Sequence, residues 1–136
     1  MSYNIFKMNA PKFPDNSLVT YQDGIYRILG LSSRGPGFYY RLILVAYQRN
    51  MSIDDFHTPI NPEEINIEEL LLNEFKDKAP KFKFGEGVRL RGEINCIVEF
   101  IEYRNYNYYY IVREKVHWSN ELKSGWEVEE SYLQKW

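Results

Sequence analysis

Two octapeptides, Phe6-Lys7-Met8-Asn9-Ala10-Pro11-Lys12-Phe13 and Phe75-Lys76-Asp77-Lys78-Ala79-Pro80-Lys81-Phe82, agree at six of eight positions and stand 75 − 6 = 69 residues apart. Self-similarity at a fixed spacing constrains a fold more than local propensity does, because each copy must be one unit of structure. The residues downstream of each copy keep the spacing: Val19 falls on Val88, Ile25 on Ile94, Ile28 on Ile97, Tyr39-Tyr40 on Tyr108-Tyr109 and Leu42-Ile43 on Ile111-Val112. The ends match at another offset, Ile67-Glu68-Glu69 and Leu72 against Val128-Glu129-Glu130 and Leu133, where 133 − 72 = 61. The expectation is a tandem duplication, with one unit over residues 1–74 and a second over 75–136. A repeat of about 65 residues lies near the lower size limit for burying enough surface to fold alone, so the units are expected to pack on each other.

Each octapeptide reads as an extended lead-in, since Ala-Pro and, in the first copy, Phe13-Pro14 break a helix. Its recurring phenylalanines are expected to pack on the strands downstream. Leu18-Val19-Thr20-Tyr21 and Gly24 to Leu31 are strand-like around Gln22-Asp23-Gly24, where Asp-Gly signals a turn. The second copy reads Val88-Arg89-Leu90, a tight turn at Arg91-Gly92-Glu93, then Ile94 to Tyr103. Ile94, Cys96 and Val98 alternate, but Ile97 and Ile101 fall on the other phase, which predicts a bulge or a doubly buried strand near Ile97-Val98. Phe38 to Val45 and Tyr108 to Arg113 are rich in aromatic and aliphatic residues and are expected to form the centre of each sheet. Asn61-Pro62-Glu63-Glu64 has the chemistry of a helix start. The repeat instead matches Ile65-Asn66-Ile67 with the alternating Trp126-Glu127-Val128, predicting a strand and then one helical turn to Leu72 or Leu133.

Two strands around a tight turn, a long third strand, a variable loop, and a last strand running into one helical turn describe a small five-stranded barrel. Phe84-Gly85-Glu86-Gly87-Val88-Arg89-Leu90-Arg91-Gly92-Glu93-Ile94, Tyr109-Tyr110-Ile111-Val112 and Trp126 to Leu133 resemble the SH3-like barrels of the Tudor, KOW and related kind. The resemblance covers both copies and implies a mainly β fold of two tandem SH3-like five-stranded barrels, each ending in a short helical turn. The first copy departs from it: Asn16-Ser17 stand where the second has Gly85-Glu86. The acidic groove motif of signalling SH3 domains is absent, so recognition of proline-rich peptides is not implied.

The chain carries no nucleophile elbow, phosphate loop or zinc spacing, so neither enzymatic activity nor a metal or cofactor is expected. Cys96 is a lone cysteine in a strand and is expected to be a buried, inert thiol. Glu68-Glu69 and Glu129-Glu130 precede a helical turn and suit N-terminal capping and dipole complementarity better than a pair of catalytic carboxylates. Two features could bind a partner. Tyr103, Tyr106 and Tyr108 with Trp118 and Trp126 form either a stacking platform or core. Lys81, Lys83, Arg89 and Arg91 belong to a basic stretch that is either a phosphate-contacting strip or a solvated linker.

A balance of 17 basic and 19 acidic residues, net −2, argues against a general polyanion-binding surface, and Asn50 to Phe75 has neither Lys nor Arg. The longest apolar run, Leu42 to Tyr47, is too short to span a bilayer, so no membrane partner is expected and the location expected is the cytoplasm. The scarcity of alanine suits an AT-rich coding sequence, as in many bacteria and phages. The expected function is a non-enzymatic module binding another protein, as a phage or bacterial accessory factor. The alternatives are a nucleic-acid-binding module and a structural subunit of a larger assembly.

Overall fold

The computed structural model describes residues 12–34, 37–48, 63–66, 72–115 and 122–136. They are mainly β: β1 (Leu18–Tyr21), β2 (Gly24–Arg34), β3 (Gly37–Tyr47), β4 (Glu63–Asn66), β5 (Asn73–Glu74), β6 (Gly87–Leu90), β7 (Ile94–Arg104), β8 (Asn107–Lys115), β9 (Leu122–Glu129) and β10 (Leu133–Lys135). One 3-10 turn, Glu130–Tyr132, joins β9 to β10. The helical turn expected before Leu72 lies outside the described residues. Among the described residues no helix is long and apolar enough to cross a membrane. The chain divides into two compact units, Met1–Leu44 with Pro59–Lys76, and Val45–Thr58 with Asp77–Trp136.

The first unit has the strand order β5-β1-β2-β3-β4. Its β1–β2 hairpin turns on Gln22-Asp23, with Tyr21 opposite Gly24 and Gln22 at φ 55. Val19, Ile28, Tyr40 and Leu42 are buried together, with Phe13, Tyr26 and Leu72 packed against them. The lead-in is fastened to this core. The Tyr40 hydroxyl accepts the backbone N–H groups of Lys12 at 2.8 Å and Phe13 at 3.1 Å, and the Phe13 ring lies 6.2 Å from that of Tyr40. β4 is a strand despite the helix-start chemistry before it, so pairing with β3 outweighs local propensity.

The second unit has the corresponding order, β10-β6-β7-β8-β9, so β2 and β7 are the central strands and the expectation that β3 and β8 take that place is corrected. A bulge at Glu99, between Val98 and Phe100, changes the phase of β7. Before it Cys96 and Val98 face the core; after it Ile101 does, opposite buried Tyr110. The expected change of phase is therefore real, one residue beyond its expected place. The Tyr47 ring stacks on that of Phe100 at 5.1 Å and 9°. Within each unit the ladder is open: among the described residues no pairing joins β9 to β10 or β4 to β5. The closed barrel expected from the sequence is thus corrected to an open sheet.

The register also corrects the expected constant spacing. Val19 pairs with Tyr26 and Val88 with Cys96, so 88 − 19 = 69 but 96 − 26 = 70. The additional residue is in the turn, where Arg91-Gly92-Glu93 replace Gln22-Asp23. Ile28 therefore takes the place of Val98 rather than Ile97: both bond back to the segment before the first strand, Ile28 N–H to Ser17 O and Val98 N–H to Glu86 O. Tyr40 likewise takes the place of Tyr110, not Tyr109. A slip of one residue moves a side chain to the opposite face: Tyr40 and Tyr110 are buried, whereas Tyr109 lies under the Arg104 guanidinium. Ile65 opposes Tyr40 as Val128 opposes Tyr110, so 128 − 65 = 63 and the expected match to Trp126 does not hold.

Candidate functional site

A cleft of about 390 Å3 lies in the second unit, where the lead-in segment, the β7–β8 hairpin tip and the 3-10 turn converge. Tyr103 and Tyr108 are opposite one another at the hairpin end, with ring centroids 5.0 Å apart. The Tyr103 hydroxyl donates to the Asp77 carboxylate, and the Tyr108 hydroxyl donates to Lys78 O at 2.6 Å. Burial, then the hydrogen bond to Asp77, pushes the Tyr103 phenol up to about 12, so it stays protonated at neutral pH. These two tyrosines fasten the lead-in. Tyr108 is buried, although it also lines the cleft.

Tyr106 is different. It is 87% exposed, at the tip of a hairpin whose two turn residues, Asn105 and Tyr106, have φ of 51° and 64°. Arg104 opposite Asn107 makes this a two-residue turn with both central residues left-handed, a geometry that favours Asn-Gly. Asparagine suits the first position. A tyrosine at the second puts a Cβ where the left-handed backbone crowds it, and its ring finds no burial in return.

Glu129, Glu130 and Ser131 form the far wall. The sequence assigns Glu129-Glu130 to capping, yet Glu129 makes no side-chain cap bond. Glu130 Oε2 instead accepts the Tyr110 hydroxyl at 2.7 Å and the Lys81 N–H at 3.0 Å. Burial, then this bond, raises the Tyr110 phenol far above its ordinary range. Cys96 is buried as expected, its thiol donating to Ile94 O at 3.6 Å, and burial pushes it up to about 11. Of the three tyrosines that line this cleft, Tyr103 and Tyr108 give their hydroxyl hydrogens to the lead-in, and Tyr106 stands exposed at the hairpin tip.

Other expected site residues are dispersed. Trp126 sits on β9 opposite Val112, 39% exposed, and does not line the cleft; Trp118 lies outside the described residues. The basic stretch is not one strip. Lys81 lies at the cleft with its Nζ 5.4 Å from the Phe82 ring centroid. Lys83 is exposed, Arg89 Nε donates to Asn95 Oδ1 at 3.2 Å, and Arg91 lies over the Tyr132 ring at 5.3 Å. Sequence reasoning missed Asp77, Ser131 and the Tyr110–Glu130 pair. Correcting the repeat register would have found Tyr110, since Tyr40 holds the lead-in in the first unit in the same manner. Compared with family models, characterised proteins and solved structures, the chain shows no match.

Proposed function

We propose that this chain is a non-enzymatic binding module of two SH3-like units derived by duplication, and that the cleft beside Tyr106 engages another protein. The common strand order of the two units supports the fold reading, and the exposed, left-handed Tyr106 supports the function. A large aromatic kept at a backbone position that suits glycine weakens the fold, which makes contact with a partner the physical reason for it. Tyrosine is among the residues that dominate interface energetics, and Asp77, Glu129 and Ser131 provide a polar rim.

Tyr106→Gly separates fold from function. The variant relieves the left-handed strain and is expected to keep or slightly raise the thermal midpoint. Tagged protein recovered from its native host is expected to carry a defined partner that the variant loses. A partner retained equally by the variant would overturn the role of this cleft.

A further inference from the structure

A second cleft of the same unit, about 540 Å3, is lined by Lys81, Lys83, Glu86, Gly87, Lys135 and Trp136 over buried Phe82. Its volume is in the range of small-ligand sites. The lining carries three lysines and one glutamate, Glu86, whose Oε1 accepts the Lys83 N–H at 3.1 Å. Outside the lining, Lys115 Nζ lies over the Trp136 ring, 5.9 Å from its centroid. The Trp136 indole is 47% exposed and lies against Gly87: a Cβ on Gly87 would come within 2.1 Å of the ring. Gly87 is in an ordinary strand, so what the glycine provides here is room for the indole. The result is a half-exposed aromatic platform bordered by lysines.

We propose that this cleft binds a nucleotide unit, the base stacked on Trp136 and the phosphate held by Lys81, Lys83 and Lys135. Ammonium groups suit phosphate as point charges, and an aromatic face gives sequence-tolerant stacking. An acidic peptide would satisfy the lysines and leave the indole without a planar partner. The unit can come from a free nucleotide or from a single strand. Three phosphate contacts on a single strand give a slope of log K against log salt of about −2, roughly a 20-fold loss between about 50 and 200 mM. With a net charge of −2, affinity at ~0.15 M salt is expected to be micromolar or weaker.

The test titrates the purified full chain with labelled oligo(dT) and with an abasic oligonucleotide of equal length. Oligo(dT) is expected to bind more tightly than the abasic strand. Trp136→Ala is expected to weaken oligo(dT) roughly five-fold or more, the smallest effect of losing one stacked base, and to leave the abasic strand unchanged. Trp136→Phe keeps a ring and is expected to retain part of the affinity. Lys83→Glu with Lys135→Glu is expected to weaken both strands. Competition by dTMP at comparable concentration would identify a free nucleotide as the ligand; its failure with the other dependences intact would identify the single strand. No binding at low salt, equal binding of the two strands, or competition by poly-glutamate as effective as by oligo(dT) would overturn the proposal. Tyr106→Gly is expected to be silent here, so this site and the protein-binding cleft stand or fall separately.

Discussion

The hydroxyl of Tyr110 donates to Glu130 Oε2 at 2.7 Å, so one buried phenol joins β8 to the 3-10 turn. The same hydroxyl accepts the Phe82 N–H at 3.3 Å, and the same carboxylate oxygen accepts the Lys81 N–H at 3.0 Å. Tyr110→Phe leaves the Phe82 N–H without that acceptor and is expected to cost about 1–3 kcal/mol in urea unfolding. Combining it with Glu130→Ala is expected to cost less than the two single losses added, because both remove the same bond. Strict additivity in that cycle would show the phenol and the carboxylate to be independent.

Phe82 is 1% exposed and meets Tyr110 edge-on, with centroids 5.7 Å apart at 74°. Truncating so buried an aromatic typically costs ~3–5 kcal/mol, whereas an exposed neighbour such as Lys83 stays within about 0.5 kcal/mol. Thermal melts of Phe82→Ala and Lys83→Ala are therefore expected to differ widely. Equal, small shifts would mean that the lead-in is a free tether.

Strand content, the hairpins and the packing of Phe13 and Phe82 were legible in the sequence, the strands because alternation is a local signal; Phe6 lies outside the described residues. Register was not legible. A turn of three residues in place of two advances the correspondence by one in the two strands that follow, so a spacing held at 69 puts Tyr109 where Tyr110 belongs. Nor could spacing show that Trp136 lies on Gly87, a contact between chain segments far apart in sequence. The basic stretch looked continuous because its residues are close in sequence, yet strand geometry sends Lys83 and Arg89 to different neighbours.

Gly85 and Asn16 sit before the first strand of their respective units, with φ of 80° and 70°. Nothing lies within 4 Å of where a Gly85 Cβ would stand, so substitution there meets backbone strain alone. Gly85→Ala is expected to cost about 1–2 kcal/mol. Gly85→Asn is expected to cost less, since Asn16 already adopts this conformation. Denaturant midpoints check the ranking, and equal losses for the two variants would contradict it.

Cys96 gives the second unit an alkaline limit. Burial first, then Glu114, raises the thiol from 9.0 to about 11. A folded value above the unfolded one means stabilisation that is complete below pH 9.0 and is lost as pH rises through about 11. The stability difference between wild type and Cys96→Ala is therefore expected to be constant up to about pH 9 and to shift against the wild type from there to about pH 11. Titration of Tyr103 occurs in both proteins and cancels in that difference. Urea unfolding across the range measures it, and a difference that does not change with pH would refute the assignment.

Glu102 is a carboxylate with a side chain only 3% exposed, and Arg104 Nη1 stands 2.6 Å from its Oε1. The same nitrogen is 3.0 Å from Glu127 Oε1, and the guanidinium lies 4.0 Å over the Tyr109 ring. Removing one partner of a buried pair typically costs about 3–5 kcal/mol. Arg104 is 29% exposed, so water can partly replace it, and Arg104→Met is expected to cost about 2–3 kcal/mol. Glu127 is 49% exposed, and Glu127→Ala is expected to cost less than about 1 kcal/mol. The decisive variant is Glu102→Gln on the Arg104→Met background. If the loss comes from a carboxylate left buried without its guanidinium, neutralising that carboxylate recovers part of the stability; if it comes from lost packing on Tyr109, the glutamine recovers none.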